Sequence, residues 1–277
     1  MTEAWTAGGR LDPGRLRRVV VKVGTSILTH PSGQLHFGRM EALVRQLADL
    51  HGEGREVILV TSGAVGAGMG RMGLSTRPRA LVEKQALAAV GQGLLMQHYE
   101  KLFAEYGLVV AQVLLTREDL EDPRRRESAR ETLAVLLGWR TVPIVNENDT
   151  VTAEEIRVGD NDTLSARVAV LVGADLLVIL SDVDGLYPRD PRTCPGQEPV
   201  PVVTELGPDL WQGAGGAGTP VGTGGMRTKL QAAAICMAAG IPMVLASGHR
   251  PGVLAAIGRG EVPGTLFLPR PRAVPAR

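Results

Sequence analysis

Short runs of apolar, β-branched residues alternate with longer stretches of helical periodicity along almost the whole chain. The run VVVKV at 19–23 is short and almost uniformly apolar, as expected of a strand that is buried on both faces. The next stretch repeats its apolar residues every three or four positions from Phe37 to Leu50, which predicts an amphipathic helix. Such alternation predicts an α/β fold, in which helices cover both faces of an open, mainly parallel sheet.

The same patterns predict the remaining elements. Further strands are predicted at 56–61, 108–115, 141–145, 176–181, 241–246 and 264–268, and further helices at 79–106, 127–137, 163–173, 225–239 and 252–258. The stretch SGAVGAG after the second strand is predicted to be a glycine-rich turn. The segment 185–222 is rich in Gly and Pro and has little periodicity, which is typical of either a mobile flap or an irregular surface loop.

Small and polar residues follow predicted strands at the points where those strands end. The motifs are GTS at 24–26, SGA at 62–64, NEND at 146–149 and SDVDG at 181–185. In open parallel sheets, ligands bind beyond the carboxyl ends of the strands. The motifs are therefore expected at one edge of the sheet, around a common ligand site.

Lysine is scarce in this chain, with only four lysines among its 30 basic residues. Lys22 lies where the first strand breaks into a glycine turn, and Lys229 lies where the loop GTGGMR opens a helix. An ammonium group is a compact point charge that can follow a phosphoryl group, whereas a guanidinium group is a rigid planar fork. A strand end or a hinge would explain either lysine alone, but the pair indicates phosphoryl transfer.

Two polar clusters lie between these lysines, NEND at 146–149 and GDND at 159–162. Taken singly, the first is explained by an Asx-type turn and the second by Asp162 as a helix N-cap. Together they favour a site that binds an amino group and cations. Asp182, in SDVDG, is expected to meet nucleotide hydroxyls or a metal ion, with a solvated turn as the structural alternative.

Glycine-rich loops are further candidate anion sites. The loop at 222–229 does not have Walker A spacing, but its glycines lead into a helix whose N–H groups and dipole attract phosphate. The stretch GMGRMG at 68–73 matches the dinucleotide pattern GxGxxG, yet no acidic residue ends the next strand at the distance that this pattern requires. A dinucleotide-dependent oxidoreductase is therefore the weakest interpretation.

The bulk composition excludes several classes of protein. The formal net charge of +1 argues against broad electrostatic binding to nucleic acid or to a membrane, so neither is expected as a partner. No apolar run approaches the roughly 20 residues that span a bilayer, and the N-terminus lacks the apolar core of a secretory signal. Cys194 and Cys236 have no CxxC partner, which favours free thiols in a cytoplasmic protein. The five histidines show no ligand spacing, so no transition-metal site is expected.

Taken together, the motifs KVGTS, VTSGA, NEND, VGDNDxLSA, SDxxGLYxxDPR and GTGGMxTK resemble those of the amino-acid kinase family. The resemblance implies a three-layer α/β/α sandwich with an eight-stranded, mainly parallel central sheet over residues 18–268. Residues 1–17 would be an N-terminal extension and residues 269–277 a C-terminal tail. The motif set is most similar to the branch of the family that phosphorylates free glutamate, many of whose members carry a C-terminal PUA domain that is not expected here.

The resemblance also implies a role for individual residues. Lys22 and Lys229 would hold phosphoryl oxygens of ATP, and Asp162 would organise both lysines. Ser62, Asp149 and Asn161 would bind the substrate L-glutamate. The nucleotide would be bound by Lys22, Ser181, Asp182, Thr223, Gly224, Gly225, Met226, Arg227, Thr228 and Lys229.

The implied reaction is transfer of a phosphoryl group from ATP to the γ-carboxylate of L-glutamate, the first step of proline biosynthesis. ATP and Mg²⁺ are the implied cofactors, with the metal carried by the nucleotide. A γ-carboxyl group has an ordinary pKa of about 4.3 and is already ionised at neutral pH, so no general base is needed. Feedback inhibition by proline is also implied. The long helix predicted at 79–106 favours a homo-oligomer, and the lability of the acyl phosphate product favours coupling to a glutamyl-phosphate reductase.

Alternatives remain within and outside this class of enzyme. Other family members phosphorylate acetylglutamate, carbamate or aspartate, and the shape of the pocket decides among these substrates. An inactive amino-acid sensor would use the same pocket without transferring phosphate, although the intact lysine pair argues against it.

Overall fold

The protein is described by a computed structural model over residues 10–30, 32–152, 161–189, 194, 196–213 and 225–269. The strands of its sheet are β1 (Arg18–Val23), β2 (Glu56–Val60), β3 (Val110–Leu115), β4 (Val142–Glu147), β5 (Leu176–Ser181), β6 (Val202–Val203), β7 (Met243–Ser247) and β8 (Gly264–Phe267). The helices are α1 (Thr25–Leu28), α2 (Phe37–Gly52), α3 (Ala64–Met72), α4 (Leu81–Ala104), α5 (Arg117–Glu121), α6 (Pro123–Gly138), α7 (Asn161–Val172), α8 (Pro208–Gly213), α9 (Met226–Ala239) and α10 (Val253–Gly258).

The strands form a single eight-stranded sheet in the order β3-β4-β2-β1-β5-β7-β8-β6. Neighbouring strands from β3 to β7 are parallel, whereas β8 runs antiparallel to β7 and pairs in parallel with β6. The strand β1 lies between β2 and β5, with Lys22 level with Val60 and Ile179. The predicted mainly parallel sheet is confirmed.

Two hydrophobic cores lie on opposite faces of the sheet, because successive side chains of a strand point in opposite directions. Val19 and Val21 of β1 join the core under α2, α3, α4 and α10, and Val20 joins the core under α6, α7 and α9. All three valines are almost completely buried. This arrangement is the predicted three-layer α/β/α sandwich.

The predicted glycine-rich turn after β2 is wrong, since residues 64–72 form the helix α3. Its glycines allow α3 to lie against α4 at very close range. A Cβ atom on Gly68 would collide with the backbone of Leu87, and one on Gly91 with the backbone of Ala64. The glycines here serve close helix packing rather than a flexible loop.

The Pro- and Gly-rich segment supplies the last strand of the sheet, which periodicity did not predict because β6 has only two residues. Its edge position is held by backbone hydrogen bonds, of which Leu268 N to Val203 O measures 2.9 Å. The Leu186 N–H also donates to Thr265 Oγ1 at 2.7 Å. Residues 190–193, 195 and 214–222 of this segment lie outside the described residues.

Part of the predicted N-terminal extension is packed into the domain. Leu11 and Leu16 are buried in the core, and the Leu11 N–H donates to Gly260 O at 2.9 Å. The Arg55 side chain donates to Leu16 O at 3.0 Å. Residues 10–17 therefore contribute to the folded core.

One predicted helix starts earlier than its apolar pattern. The helix predicted at 127–137 is α6, which begins at Pro123, where Asp122 Oδ1 accepts hydrogen bonds from the backbone N–H groups of Arg124 and Arg125. An aspartate cap followed by proline is a strong helix start. Within the described part of the chain, no helix combines the length and apolar character needed to cross a bilayer.

Candidate active site

The polar motifs converge at one edge of the sheet, as the parallel strands require. Lys22 stands one residue before the end of β1, and Ser181 ends the neighbouring strand β5. Ser62 follows β2, which pairs with β1 on its other side. Asp162 enters this edge from the first turn of α7.

The two motif lysines meet on one buried carboxylate. Lys22 Nζ lies 2.5 Å from Asp162 Oδ1, and Lys229 Nζ lies 3.1 Å from Asp162 Oδ2. The residues are 7%, 6% and 1% exposed in the order Lys22, Lys229 and Asp162. Two ammonium groups and one carboxylate leave a net positive charge in a site that excludes most water, and such a site favours an anion.

The charge state of Asp162 follows from its neighbours. Burial by itself would raise the pKa of this carboxyl group, but the charges of Lys22 and then Lys229 act against burial. Hydrogen bonds from Lys22 and Thr228 add to that effect, and the pKa of Asp162 lies well below its usual range. Asp162 is therefore ionised at neutral pH and holds both ammonium groups in place.

The start of α9 is tied to the same carboxylate. Thr228 Oγ1 lies 2.7 Å from Asp162 Oδ2 and 2.8 Å from Gly225 O. Gly225, the residue before α9, provides no side-chain cap. The N–H groups and positive dipole end of this helix face the region of the lysine pair, which suits a phosphate group.

The other residues expected to bind nucleotide include both buried and exposed side chains. Met226 is half-buried against the core beneath α9, and Arg227 is exposed. Thr223 and Gly224, also expected to bind nucleotide, lie outside the described residues. At the end of β5, the buried Ser181 hydroxyl donates to Asp182 Oδ1 at 3.0 Å, and Asp182 itself is exposed.

Ser62 and Asn161, expected to bind substrate, are in direct contact. Asn161 Nδ2 lies 3.0 Å from Ser62 Oγ and 3.0 Å from Thr61 O, and 3.1 Å from Asn146 Oδ1. The side chain of Asn161 is buried, as is that of Asn146. Asn146 also links this group to α4, since its Nδ2 donates to Gln92 Oε1 at 2.8 Å.

Asp149, the third residue expected to bind substrate, has an unusual charge state. Burial, followed by the negative charge of Glu147, raises its pKa to about 7, while the positive charge of Arg77 acts in the opposite direction. Asp149 is half-buried. A cationic ligand would favour its ionised form.

Several contacts at this edge escaped sequence analysis. The rings of His30 and His36 stack with their centroids 4.3 Å apart. Burial and the nearby positive charge of Arg39 lower the pKa of both His36 and His249. The negative charge of Asp182 acts in the opposite direction on His249, but the pKa of His249 stays lowered. Sequence spacing did not predict the contact between the two rings. His30 and His36 are brought together by the β-bridge between Thr29 and Leu35, which leaves no recognisable spacing in the sequence. Among the described residues, no group of three or more His, Cys, Asp or Glu side chains is placed to hold a metal ion.

Gln92 is the clearest residue that sequence reasoning missed. It lies within the predicted long helix, where a lone glutamine is indistinguishable from a solvated surface residue. Its hydrogen bond to Asn146 connects it to the predicted site. Cys194 and Cys236 are free cysteines, and Cys236 is buried.

The fold is shared with solved kinases of low sequence identity. A UMP kinase from Bacillus anthracis superimposes with a TM-score of 0.63 at 17% identity, covering 92% of this chain and 97% of that one. An isopentenyl phosphate kinase superimposes with a TM-score of 0.62 at 15% identity, covering 90% of this chain and 99% of that one. At these identities the similarity concerns the fold.

Sequence comparison is more specific. A glutamate 5-kinase from Symbiobacterium thermophilum is 69% identical over 251 residues, which cover 91% of this chain and 95% of that protein. A glutamate 5-kinase from Moorella thermoacetica is 59% identical, with 94% of this chain and 69% of that protein covered. The sequence profile of the amino acid kinase family matches residues 17–247. The family resemblance inferred from the motifs is confirmed, and the chain belongs to the amino acid kinase family.

Proposed function

We propose that this chain transfers the terminal phosphoryl group of ATP to the γ-carboxylate of L-glutamate, giving L-glutamyl 5-phosphate in the first step of proline biosynthesis. The observation that carries the proposal is the pair of ammonium groups on the two oxygens of Asp162. The relatives named glutamate 5-kinase, at 69% and 59% identity, support the choice of substrate.

The proposed reaction requires stabilisation of the negative charge on the phosphoryl group rather than proton transfer. The γ-carboxylate is ionised at neutral pH and attacks the phosphorus atom as it is, while the bond to the leaving oxygen of ADP breaks. The barrier comes from bringing two anions together and spreading charge over the migrating group. Lys22 and Lys229 would contact the phosphoryl oxygens, each stabilising the transition state by about 2–4 kcal/mol.

Asp162 acts through the lysines in this proposal. Because it is anionic and almost fully buried, it holds both ammonium groups at a fixed separation. It is a positioning residue that touches neither substrate. Its negative charge also lowers the cost of placing two cations side by side in the ligand-free protein.

The two substrates would be held on opposite sides of this triad. Ser62, Asn161 and Asp149 would bind L-glutamate, with Asp149 opposite the α-ammonium group. The nucleotide would be bound by Ser181, Asp182 and the segment Thr223, Gly224, Gly225, Met226, Arg227, Thr228 and Lys229. Magnesium bound to the ATP phosphates would neutralise part of their charge and would arrive with its nucleotide.

Further features belong to the same proposal. Residues 18–268 would form the kinase domain, and proline would inhibit the reaction. Val82 and Val90 on α4 are exposed, which supports a homo-oligomer formed through this helix. The acyl phosphate product is labile, so a reductase that consumes it would be a functional partner, and the enzyme would work in the cytoplasm.

The deciding experiment is ADP release with ATP, Mg²⁺ and a panel of carboxylates, with the acyl phosphate trapped as a hydroxamate. We expect turnover with L-glutamate, and weaker turnover with acetylglutamate, carbamate or aspartate. Addition of proline should lower the rate. Preference for another carboxylate would reassign the substrate, and glutamate binding without ADP release would make the chain a sensor.

A further inference from the structure

Among the residues that the structure describes, two buried polar atoms near the proposed glutamate site have no hydrogen-bond partner. They are Gln92 Nε2, a donor, and Asn161 Oδ1, an acceptor. A third such atom, Asp162 Oδ1, is satisfied by its ion pair with Lys22. Buried polar groups are nearly always paired in folded proteins, so an unpaired donor and an unpaired acceptor in one network call for an explanation.

The orientation of Gln92 is fixed by a backbone group. The Glu147 N–H donates to Asn146 Oδ1 at 2.9 Å, so the other end of the Asn146 amide must be its NH₂ group. That NH₂ group donates to Gln92 Oε1 at 2.8 Å. The free end of the Gln92 amide is therefore its NH₂ group, which has no partner among the described residues.

The orientation of Asn161 is fixed in the same way. Its Nδ2 lies 3.0 Å from Thr61 O, and a backbone carbonyl can only accept a hydrogen bond. Reversing the amide would place two acceptors against each other. Asn161 Oδ1 is thus an acceptor that is buried and has no partner among the described residues.

A ligand that satisfies both atoms must carry an acceptor for Gln92 Nε2 and a donor for Asn161 Oδ1. The α-carboxylate and α-ammonium groups of an amino acid have this character, and each would make a charge-assisted hydrogen bond. The neutral amides suit such a zwitterion, because neither end of the ligand meets a like charge from these two residues.

The position of the network in the sheet decides which end of the substrate it meets. Asn146 lies on β4, which is separated from β1 by β2, so the two strands are about 10 Å apart. Lys22 lies on β1 with Asp162 and Lys229 beside it. Asn146 and its partner Gln92 thus lie two strands away from Lys22, where the non-reacting end of the substrate would lie. Asn161, next to Asp162 in α7 and hydrogen-bonded to Thr61 after β2, lies between them.

We propose that Gln92 is a specificity residue of the glutamate site, with its Nε2 donating to the α-carboxylate of L-glutamate while Asn161 Oδ1 accepts from the α-ammonium group. Asn146 holds Gln92 in the orientation that this contact needs. The inference rests on the proposed function and adds a residue from α4 to it.

The first test is the isosteric change Gln92→Glu. A glutamate at this position can still meet Asn146, but it replaces the donor with a carboxylate oxygen that repels the substrate. We expect the KM for L-glutamate to rise about 10- to 100-fold, with kcat and the KM for ATP within about twofold of wild type. Gln97→Glu, the same substitution at an exposed position of α4, is the matched control and should change none of these values.

A ligand comparison separates recognition from a structural role. The stabilisation of the protein by L-glutamate and by 4-aminobutanoate, which lacks the α-carboxylate, is measured by thermal unfolding for wild type, Gln92→Glu and Gln92→Met. We expect both variants to lose most of the stabilisation by L-glutamate and none of the weaker stabilisation by 4-aminobutanoate. Equal losses with both ligands would mean that Gln92 only supports the fold, and the inference would be wrong.

The two proposals fail in different ways. If L-glutamate stabilises the wild-type protein but no ADP is released, the kinase proposal fails while the Gln92 comparison still stands. If ADP is released and Gln92→Glu leaves the KM for L-glutamate unchanged, the kinase proposal stands and the Gln92 inference fails. The melting temperature of each ligand-free variant shows whether its fold is intact before either conclusion is drawn.

Discussion

At the β1 side of the site each of two buried ammonium groups is paired with an oxygen of one carboxylate, whereas toward β4 neutral amides leave a donor and an acceptor unpaired among the described residues. A buried charge without a counter-charge is very costly, so Lys22, Lys229 and Asp162 have to be paired even without a ligand. Leaving a neutral amide group unpaired costs less free energy, so Gln92 and Asn161 can keep an unpaired donor and acceptor that a substrate would satisfy. In the proposed function, the charged end would therefore serve phosphoryl transfer and the amide end would serve recognition of the substrate.

The largest effect on kcat is expected when either lysine at the charged end of the site is removed. Lys22→Ala and Lys229→Ala should each lower kcat by about 10²–10³-fold, because a cation that stabilises the migrating phosphoryl group is lost. The KM for L-glutamate should change far less, as measured by steady-state kinetics. Lys101→Ala, at an exposed position of α4, is the control and should keep wild-type rates. A near-normal kcat for either active-site variant would contradict its role.

Neutralising Asp162 should damage both rate and stability. Asp162→Asn leaves two buried ammonium groups without their anion, which should lower the free energy of unfolding by about 3–5 kcal/mol and kcat by about 10- to 100-fold. The pKa of Asp162 is lowered in the folded state, so its stabilising contribution is present at neutral pH and is lost as pH falls below the normal carboxylate range. Urea unfolding at neutral and acidic pH checks this, since the variant should lack that part of the acid sensitivity.

Asp149 should couple substrate binding to pH, with an effect on KM rather than kcat. Its pKa of about 7 means that the carboxyl group becomes neutral as pH falls below 7 and loses its attraction for an ammonium group. The KM for L-glutamate should therefore rise as pH falls through 7 in the wild type. Asp149→Asn should have a KM about tenfold higher at neutral pH and nearly independent of pH over this range.

The same raised pKa has an opposite consequence for stability. The folded protein binds the Asp149 proton more tightly than the unfolded chain, so this group stabilises the fold at low pH. That contribution is lost as pH rises from about 4 to about 7. Ligand-free wild type and Asp149→Asn should differ in the pH dependence of unfolding in this window, and identical pH profiles would argue against a raised pKa.

The smallest effect is expected at the nucleotide edge. Ser181→Ala removes the hydroxyl that donates to Asp182, which should raise the KM for ATP by about two- to fivefold, since one hydrogen bond contributes about 1 kcal/mol. Ser181→Thr keeps the hydroxyl and should stay close to wild type. An unchanged KM for ATP in Ser181→Ala would remove this pair from the nucleotide site.

The sequence was most informative where local chemistry and global position agree. The apolar run around Val20 was predicted to be a strand buried on both faces, and it forms a central strand of the sheet. The polar motifs were predicted to meet because parallel strands end at the same edge of a sheet. The charged residues Lys22, Asp162 and Lys229 stood out by type and motif. Where side-chain type is uninformative, as at Gln92, no pattern distinguished a buried network from solvent.

Glycine misled the prediction for a related reason. Glycine is depleted inside helices by its conformational freedom, so the stretch around Gly68 was predicted as a turn. Only the partner helix α4 makes a missing side chain an advantage, because the backbones of α3 and α4 touch at Gly68 and Gly91. The strand β6 escaped prediction because a pair of residues carries no detectable period.

Periodicity and residue type, which are local properties of the chain, were enough to predict the α/β architecture, the meeting of the polar motifs at one edge of the sheet and the charged residues on which the phosphoryl-transfer proposal rests. The contacts between distant residues emerged only from the folded chain: two lysines on one carboxylate, glycines at a helix contact, and an amide donor and acceptor without partners among the described residues. Hydrogen bonds and ion pairs depend on distances of about 3 Å between residues far apart in the chain, and spacing along a sequence does not encode those distances.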